Sequence, residues 1–465
     1  MAALWFVAPA LIRAQETGYC GPHSRLEHLY SLATVPTPFA CFMPLNAYRE
    51  LLSTNRRLLG FGFVTALYSS FGQTYFIGII GPHIQLEFGL SHTLWGMVYM
   101  IGTIGSAALL PWTGGLIDRF VLRRYTLAAC LLLVCACAYI ATTTGPVSLV
   151  LAIFLLRHAG QGLISHISIT SMVRYFDRER GRAIAFASLG FTVGEAILPV
   201  IAVYALALIG WRWTYGTAAV LISLTVIPTV IWLLKGHDTA NSRHIKVSRT
   251  VNHTSPPAVR SWTRKEVIRD YLFYLLMPGL LAVSMISTAL FFHHLNLADE
   301  KGWSHTWITG NYSVYAATTC ATLIYSGTLI DRLSAIRIMP YLLTPLVLAM
   351  ITVGLIDSAW GVIPYMLLMG IQSGLYFTVV SALWAELYGV THIGAIKSLY
   401  GSLMVLSSAI GPVLMGWLAD LGVPLSTVCL YFAAYTAAAA VLVVLTLRIR
   451  KSQPVDVPRP SETRA

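Results

Sequence analysis

The chain has 465 residues, of which 56% are hydrophobic and only 11% are charged, and its formal net charge is +12. A typical soluble domain has about a quarter of its residues charged, so this composition, with a mean hydropathy of +0.69, excludes an ordinary soluble globular protein. In a soluble protein the positive charge would favour nucleic acid as a partner, but in a membrane protein it is a topology signal. The seven cysteines have no metal-ligand or disulfide spacing.

Twelve apolar runs are long enough to cross a bilayer, which takes about 20 residues at roughly 1.5 Å each. The predicted spans are residues 59–84, 94–116, 125–144, 147–171, 183–209, 213–234, 270–294, 307–330, 337–356, 360–384, 394–418 and 424–447. The polar, basic stretch 235–269 predicts a linker between two six-helix bundles, at residues 58–234 and 270–447. Residues 1–57 and 448–465 are then an N-terminal extension and a tail.

The basic residues predict the orientation. Of the 31 Lys and Arg residues, 26 fall in the N-terminal flank, the even-numbered connections and the tail, and only Arg212 and Lys301 fall in the odd-numbered connections. By the positive-inside rule, both termini and the linker are predicted to lie in the cytoplasm, with the chain crossing the inner (cytoplasmic) membrane many times. Residues 1–42 resemble neither a signal peptide nor a span, and we expect Met43 to be the true start.

An ungapped offset of 213 residues aligns the two halves, with 12 identities between residues 89–119 and 302–332 against roughly two expected by chance. The duplication predicts a transporter whose solute site lies near the midplane between two rocking halves. The alternative is a duplicated scaffold with no role in transport.

The duplicated loop after the second and eighth spans contains a glycine followed by an Asp-Arg pair, the repeated residues being Gly114, Asp118 and Arg119, and Gly327, Asp331 and Arg332. This loop resembles the signature of the major facilitator superfamily, although the glycine usual after Asp-Arg is absent. The resemblance covers Leu58 to Leu447 and implies an all-α fold of twelve transmembrane helices.

The resemblance also implies a cytoplasmic latch at this loop. Charged groups at neighbouring helix ends form hydrogen bonds in one state and lose them in another. Asp118 is expected to hold the inner gate closed with arginines of nearby helix ends, for which the candidates are Arg174, Arg178 and Arg182. The alternative is that the bases there only set the topology.

Arg157 opens an Arg-x-x-x-x-Gly pattern in the fourth span that resembles a helix motif of the family. It lies near the bilayer centre, where a charge costs at least about 2.5–3.5 kcal/mol, so we expect it to face a cavity and bind substrate. Gln161 shares its helix face and is a second candidate. The alternative is an arginine that snorkels to an interface.

Glu195 is the only acid well inside a predicted span, at about the depth of Arg157. The two side chains are expected to be able to pair, and Glu195 is the candidate for proton coupling. A permanently ionised structural pair is the alternative.

Four further polar residues lie on spans that line the cavity in the superfamily and are candidate substrate contacts: Gln73, His158, Gln372 and Tyr376. Such residues are also common as packing or interhelical hydrogen-bonding groups. His293 and His294, near the outer mouth, are candidates for a pH-sensitive gate.

The stretch from Arg174 to Ala185, leading into Gly190 and Gly194, resembles the monocarboxylate and oxalate/formate porters, which implies transport of a small carboxylate with a proton or by exchange. The eighth span has no internal Asp or Arg, which leaves Arg157 as the deep cation. The alternative is a proton-antiport exporter of a drug-like or siderophore-like compound. No nucleotide loop, zinc spacing or nucleophile elbow indicates an enzyme. We expect no cofactor, metal or nucleic acid, and a monomer whose partners are the solute, protons and the lipid bilayer.

Overall fold

The computed structural model describes residues 45–176, 180–235, 262–389 and 393–452, and every regular element within them is helical. Most of the predicted linker, the N-terminal extension up to residue 44 and the tail from residue 453 lie outside the described residues. The predicted start at Met43 falls in the N-terminal extension, and the predicted latch residue Arg178 falls in a further undescribed stretch, residues 177–179.

The N-terminal half contains six crossings. The first span, Asn55–Phe88, is interrupted between helices Leu45–Tyr68 and Thr74–Phe88 by a 3-10 turn at Ser69–Gly72. The next three are His92–Gly114, Leu122–Ala141 and Pro146–Tyr175. The fifth and sixth spans form one helical stretch, Arg180–Leu233, broken at Gly210, whose φ of 72° and ψ of 169° reverse the chain.

The C-terminal half repeats this plan. A short helix, Arg264–Arg269, precedes the spans, which are Tyr271–Glu300, Tyr312–Leu333 after a short helix His305–Gly310, Ala335–Leu355, Ala359–Tyr388, Ile393–Asp420 and Leu425–Ser452. Ten described segments are long and apolar enough to cross a membrane. One of them contains the fifth and sixth spans, and the eighth span is a further helix, so twelve crossings result, as predicted.

The predicted boundaries are mostly too short. The seventh span continues to Glu300 rather than ending at residue 294, and the first begins at Asn55 and ends at Phe88. Polar residues at these ends are held by contacts outside the helix that hydropathy does not register. In particular, the Glu300 carboxylate accepts hydrogen bonds from the first amides of the twelfth span, including Ser426 N at 2.9 Å.

One pair of identical residues in the repeat is explained by backbone conformation. Gly89 and its equivalent Gly302 both follow a long span in the left-handed region, with φ of 60° and 65°. Only glycine adopts this conformation without a steric penalty, and it commonly ends a helix. The turn into the second span and the turn into the eighth therefore require the same residue.

The two halves meet through glycine. A Cβ on Gly78 of the first span would lie 2.3 Å from the carbonyl oxygen of Phe291 in the seventh. Between the second and eleventh spans, a Cβ on Gly96 would lie 2.9 Å from Val413 Cα, and one on Gly416 2.5 Å from the carbonyl oxygen of His92. Close approach of helices at small residues is the usual packing in membranes. These crossings lie at the predicted outer end of the molecule.

Candidate functional site

The first and fourth spans cross where both helices are irregular. Gln73 is extended (φ −81°, ψ 153°) after the 3-10 turn, and the fourth span is π-helical over Arg157–Ile164. At the crossing a Cβ on Gly72 would lie 2.2 Å from the Leu156 carbonyl oxygen, and one on Gly160 2.7 Å from Gly72 Cα. π-Helical turns and broken membrane helices release backbone carbonyls from their usual bonds and frequently mark functional sites.

Arg157 lies at this crossing and is 5% exposed. Its Nη1 donates to the Gly72 carbonyl oxygen at 3.4 Å and to Thr74 Oγ1 at 3.2 Å. The guanidinium carbon is 5.1 Å from the centre of the Tyr99 ring, and the Tyr99 and Thr74 hydroxyls are 2.6 Å apart. No acid of the described residues forms an ion pair with Arg157, whose Nε has no hydrogen-bond partner.

The expected pair between Arg157 and Glu195 is not formed. Glu195 is half-buried on the fifth span, and its carboxyl interacts electrostatically with the hydroxyls of Tyr75, Tyr312 and Tyr315. The two side chains point in different directions, since Arg157 lies over the Tyr99 ring of the second span, whereas Glu195 faces tyrosines of the first and eighth spans. The two charged groups share a depth but have separate surroundings.

The other predicted contacts in the N-terminal half divide into two groups. Gln73 Nε2 lies 3.5 Å from Ser165 Oγ, and a Cβ on Gly72 would lie 3.1 Å from Gln161 N, so both residues are at the crossing with Arg157. His158 is instead buried within the N-terminal bundle, where its Nε2 is 3.2 Å from Thr113 Oγ1 and its ring stacks on Phe154 at 5.7 Å. The structure does not bring His158 together with Arg157.

The candidates in the C-terminal half are buried and uncharged. Gln372 is 1% exposed, and neither its amide nitrogen nor its amide oxygen has a hydrogen-bond partner. Tyr376 donates to the Leu280 carbonyl oxygen at 2.8 Å and contacts the Tyr400 hydroxyl.

The two histidines of the seventh span are both held by neighbouring spans. His293, where the span deviates from helical geometry, is 2.9 Å from the Pro412 carbonyl oxygen through Nε2. His294 Nδ1 is 2.7 Å from the Tyr312 hydroxyl.

A polar network joins the halves at the predicted outer end. The Asp420 carboxylate, at the end of the eleventh span, accepts from the amides of His92 and Thr93 at 3.0 and 2.8 Å. Asn296 Nδ2 donates to Gln85 Oε1 at 2.9 Å and is equally close to His92 Nδ1. A negative charge at a helix N-terminus is stabilising, and here the carboxylate comes from the other half, so the network holds the two halves together at this end.

Aromatic rings close the layer beneath this network. The ring of Phe292 stacks on Trp95 at 5.1 Å and lies 4.6 Å from Tyr99, which also covers Arg157. The closed outer layer therefore contacts the surroundings of the buried cation directly.

The sequence matches the family model of the Major Facilitator Superfamily over residues 62–371 and 297–465. The chain belongs to this superfamily. It is similar to the crystal structure of the nucleoside transporter NupG, with a TM-score of 0.64 and 13% identity over 85% of this chain and 99% of that one. It is also similar to a bacterial homolog of the human lysosomal transporter Spinster in an inward-facing, occupied conformation, with a TM-score of 0.63 and 13% identity over 86% and 97% of the chains. Identity this low carries the fold alone, and no curated protein matches the sequence.

Membership of the superfamily makes this multi-pass membrane protein a transporter rather than an enzyme. Its signature loop is partly described. Arg174 Nη1 donates to the Ile117 carbonyl oxygen at 3.2 Å, so the inner end of the fourth span is fastened to the loop. Gly114 is buried and Arg119 is exposed. The side chains of Asp118, Asp331 and Arg332 and the burial of Gly327, the remaining predicted gating residues, lie outside the described part of the structure.

Sequence reasoning missed several residues of the site. Thr74, Tyr99 and Asp420 belong to no motif, although Tyr99 is identical to its repeat equivalent Tyr312, which is a sequence signal. In this superfamily member the two tyrosines lie beside the two buried charged groups, Tyr99 at Arg157 and Tyr312 near Glu195. Identity between diverged halves therefore identified positions facing the site.

Proposed function

We propose that the protein is a proton-coupled secondary transporter of a small organic anion, such as a monocarboxylate, working by alternating access between its two halves. The observation that carries this proposal is the burial of Arg157 without an anionic partner among the described residues. A buried charge in a membrane protein is normally paired. The carboxylate of the solute supplies the missing anion.

The neighbours of Arg157 suit a guest anion. The two acceptors on its Nη1, a carbonyl and a hydroxyl oxygen, are neutral, so an arriving carboxylate adds a charge-assisted hydrogen bond without displacing a protein carboxylate. Gln73 and Gln161 lie at the same crossing and supply amide donors. Binding neutralises the cation and lowers the cost of keeping it at the centre of the membrane.

The closed outer end supports a cycle of alternating access. With Asp420 holding the second span and Phe292 covering Tyr99, the outer path to Arg157 is obstructed in this state, and we infer that solute reaches Arg157 from the cytoplasmic side. Because Tyr99 lies between Arg157 and Phe292, a bound anion changes the surroundings of the closed layer. Opening the outer end then requires the Asp420 and Phe292 contacts to break while the inner ends approach, with the loop around Asp118 as the inner latch.

Proton coupling is assigned to Glu195. Three tyrosine hydroxyls, on Tyr75, Tyr312 and Tyr315, are the titratable groups that interact with its carboxyl, and no described cation pairs with it. When Glu195 is protonated it is neutral, and the solute carboxylate balances the charge of Arg157. The loaded transporter can then change state without excess negative charge in the membrane.

The distribution of Lys and Arg supports a cytoplasmic-membrane location with both termini inside. The similar solved structures do not identify the solute, since one is a nucleoside transporter and the other is a homolog of a lysosomal transporter. A second candidate function, export of an amphiphilic compound by proton antiport, is favoured by the aromatic rings around Glu195.

The test is uptake of radiolabelled lactate, acetate and formate into proteoliposomes containing the full chain, with and without an inward proton gradient. We expect gradient-driven uptake of at least one acid, and loss of that uptake in Arg157→Gln with retention of the folded state by size-exclusion chromatography. Uptake that ignores the gradient, or that survives Arg157→Gln, contradicts the proposal. Extrusion of a lipophilic dye by the same vesicles would favour the second candidate.

A further inference from the structure

The surroundings of Glu195 form a cluster of aromatic rings that spans the two halves; we call Glu195, Tyr75, Phe291, Tyr312 and Tyr315 the aromatic cage. The Tyr75 and Tyr312 rings meet edge-on at 6.5 Å, and Phe291 lies 5.4 Å from Tyr312 and 5.3 Å from Tyr315. Glu195 and Tyr75 belong to the N-terminal half and the other three to the C-terminal half. Whatever occupies the cage therefore contacts both moving parts.

The cage has the features of a site for a cation. Glu195 is half-buried, and no Lys, Arg or His of the described residues pairs with it. Tyr75 is 6% exposed, and its hydroxyl has no hydrogen bond within 3.5 Å. Aromatic faces attract cations, and quaternary ammonium groups are recognised by rings of this kind. A neighbouring carboxylate adds the opposite charge.

The cage and Arg157 adjoin each other along the first span. Thr74 accepts from Arg157 at 3.2 Å, and the next residue, Tyr75, belongs to the cage. Consecutive Cα atoms are about 3.8 Å apart, so the first span brings a contact of each site to successive residues, and we infer that a small solute can reach both.

We propose that the cage binds an ammonium group of the solute, so that the preferred solute is a zwitterion with its carboxylate at Arg157 and its ammonium group among Tyr75, Phe291, Tyr312 and Tyr315. This inference rests on the proposed anion site at Arg157. An ammonium group on the solute and a proton on Glu195 each add one positive charge that balances the Glu195 carboxylate. A simple carboxylate therefore needs the proton, whereas a zwitterion neutralises both sites itself.

The test compares two acids of nearly identical shape, trimethylglycine and tert-butylacetate, which differ by a nitrogen cation in place of a carbon. Their binding to the full chain in detergent is measured by isothermal titration calorimetry at neutral pH. We expect trimethylglycine to bind roughly five-fold tighter or more, from the size of cation–π attraction in a desolvated site. Glu195→Gln and Tyr312→Leu should each reduce this preference, because one removes the opposite charge and the other a ring, and Arg157→Gln should weaken both acids.

Equal affinity of the two acids in the unchanged protein contradicts the proposed cage, and so does a preference that is undiminished in both Glu195→Gln and Tyr312→Leu. Failure of the anion site is distinguishable, because both acids would then bind independently of Arg157 or not at all. In that case choline is compared with neohexyl alcohol, its carbon isostere. If choline binds more tightly than neohexyl alcohol and this preference depends on Glu195, the cage is supported and the anion site is contradicted. If the two bind equally, both sites are contradicted.

Discussion

The two halves share a plan but differ at the solute site. The N-terminal half contributes a buried cation, a lone carboxyl and two irregular spans, whereas the repeat equivalents of Arg157 and Glu195 are Gly370 and Ser408. The tenth span, equivalent to the fourth, is a regular α-helix over Val362–Tyr388. The difference indicates a division of roles, in which the N-terminal half supplies the charges and the C-terminal half covers them with neutral aromatic and amide groups.

What the halves retained supports this division. Tyr99 and Tyr312 are identical and both face buried polar groups, one covering Arg157 and the other bonded to His294. Gly89 and Gly302 are identical because both turns need a left-handed residue. The two halves are therefore identical at positions that determine helix turns and packing, whereas the deep charged residues are present in the N-terminal half.

The variant with the largest expected effect, at Gly72, tests whether the close crossing of the first and fourth spans is a special feature of the N-terminal half. Gly72→Ala places a Cβ 2.2 Å from the Leu156 carbonyl oxygen, and backbone cannot yield as a side chain does. We expect a loss of about 3 kcal/mol, the upper part of the usual range for overpacking, and loss of uptake. Thermal unfolding in detergent measures the first and proteoliposome uptake the second.

The matched control is Ser373→Ala, since Ser373 is the repeat equivalent of Gly160 and makes one hydrogen bond, to the Tyr315 hydroxyl at 3.1 Å. Its cost should be about 1 kcal/mol. Comparable losses in Gly72→Ala and Ser373→Ala would mean that the two crossings tolerate change equally, against the division of roles.

The sequence predicted the features that depend on composition and spacing. Span number followed from hydrophobic length, and burial of Arg157 followed from its distance to the helix end. The surroundings of Arg157 did not follow, because its contacts, Gly72, Thr74 and Tyr99, lie on other spans, and depth within a span does not say which neighbouring helix a side chain faces. The role of Asp420 was not predicted either, because the sequence around a carboxylate at a helix end does not show which distant helix it caps.

The next prediction separates the two tyrosines. Tyr312→Phe removes the hydroxyl bonded to His294 Nδ1, and since His294 Nε2 already has no partner, the buried ring loses its described hydrogen bond. We expect destabilisation of about 2 kcal/mol, within the range for an unsatisfied buried polar group. Tyr99→Phe keeps the ring at Arg157, and Thr74 can still accept from the arginine, so about 1 kcal/mol is expected. A larger loss in Tyr99→Phe, measured by thermal unfolding, would contradict this order.

A smaller effect concerns the outer closure between halves. Asp420→Asn removes the charge at the N-terminus of the second span, which is worth about 0.3–1 kcal/mol. We expect faster hydrogen exchange of the His92 and Thr93 amides, by roughly two- to five-fold, and a shift towards the outward-open state. Glu300→Gln is the control within one half, because it should affect the amides of Leu425 and Ser426 and leave those of His92 and Thr93 unchanged. Faster exchange at the second span in both variants would reject a specific role for Asp420.

The smallest effect compares Glu87 with its repeat equivalent Glu300, each of which fastens the end of one span to the start of the last span in its half. Glu87 contacts Arg212 at 2.6 Å and Trp211 Nε1 at 2.6 Å, but the ion pair is more than a third exposed on both sides and is screened by salt. Glu87→Gln should therefore cost no more than about 1 kcal/mol, and less in high salt. Glu300 instead accepts from backbone amides, so the cost of Glu300→Gln should change less with salt. Thermal unfolding of both variants at low and high ionic strength measures the difference, and an equal response to salt would mean that the two carboxylates act alike despite their different partners.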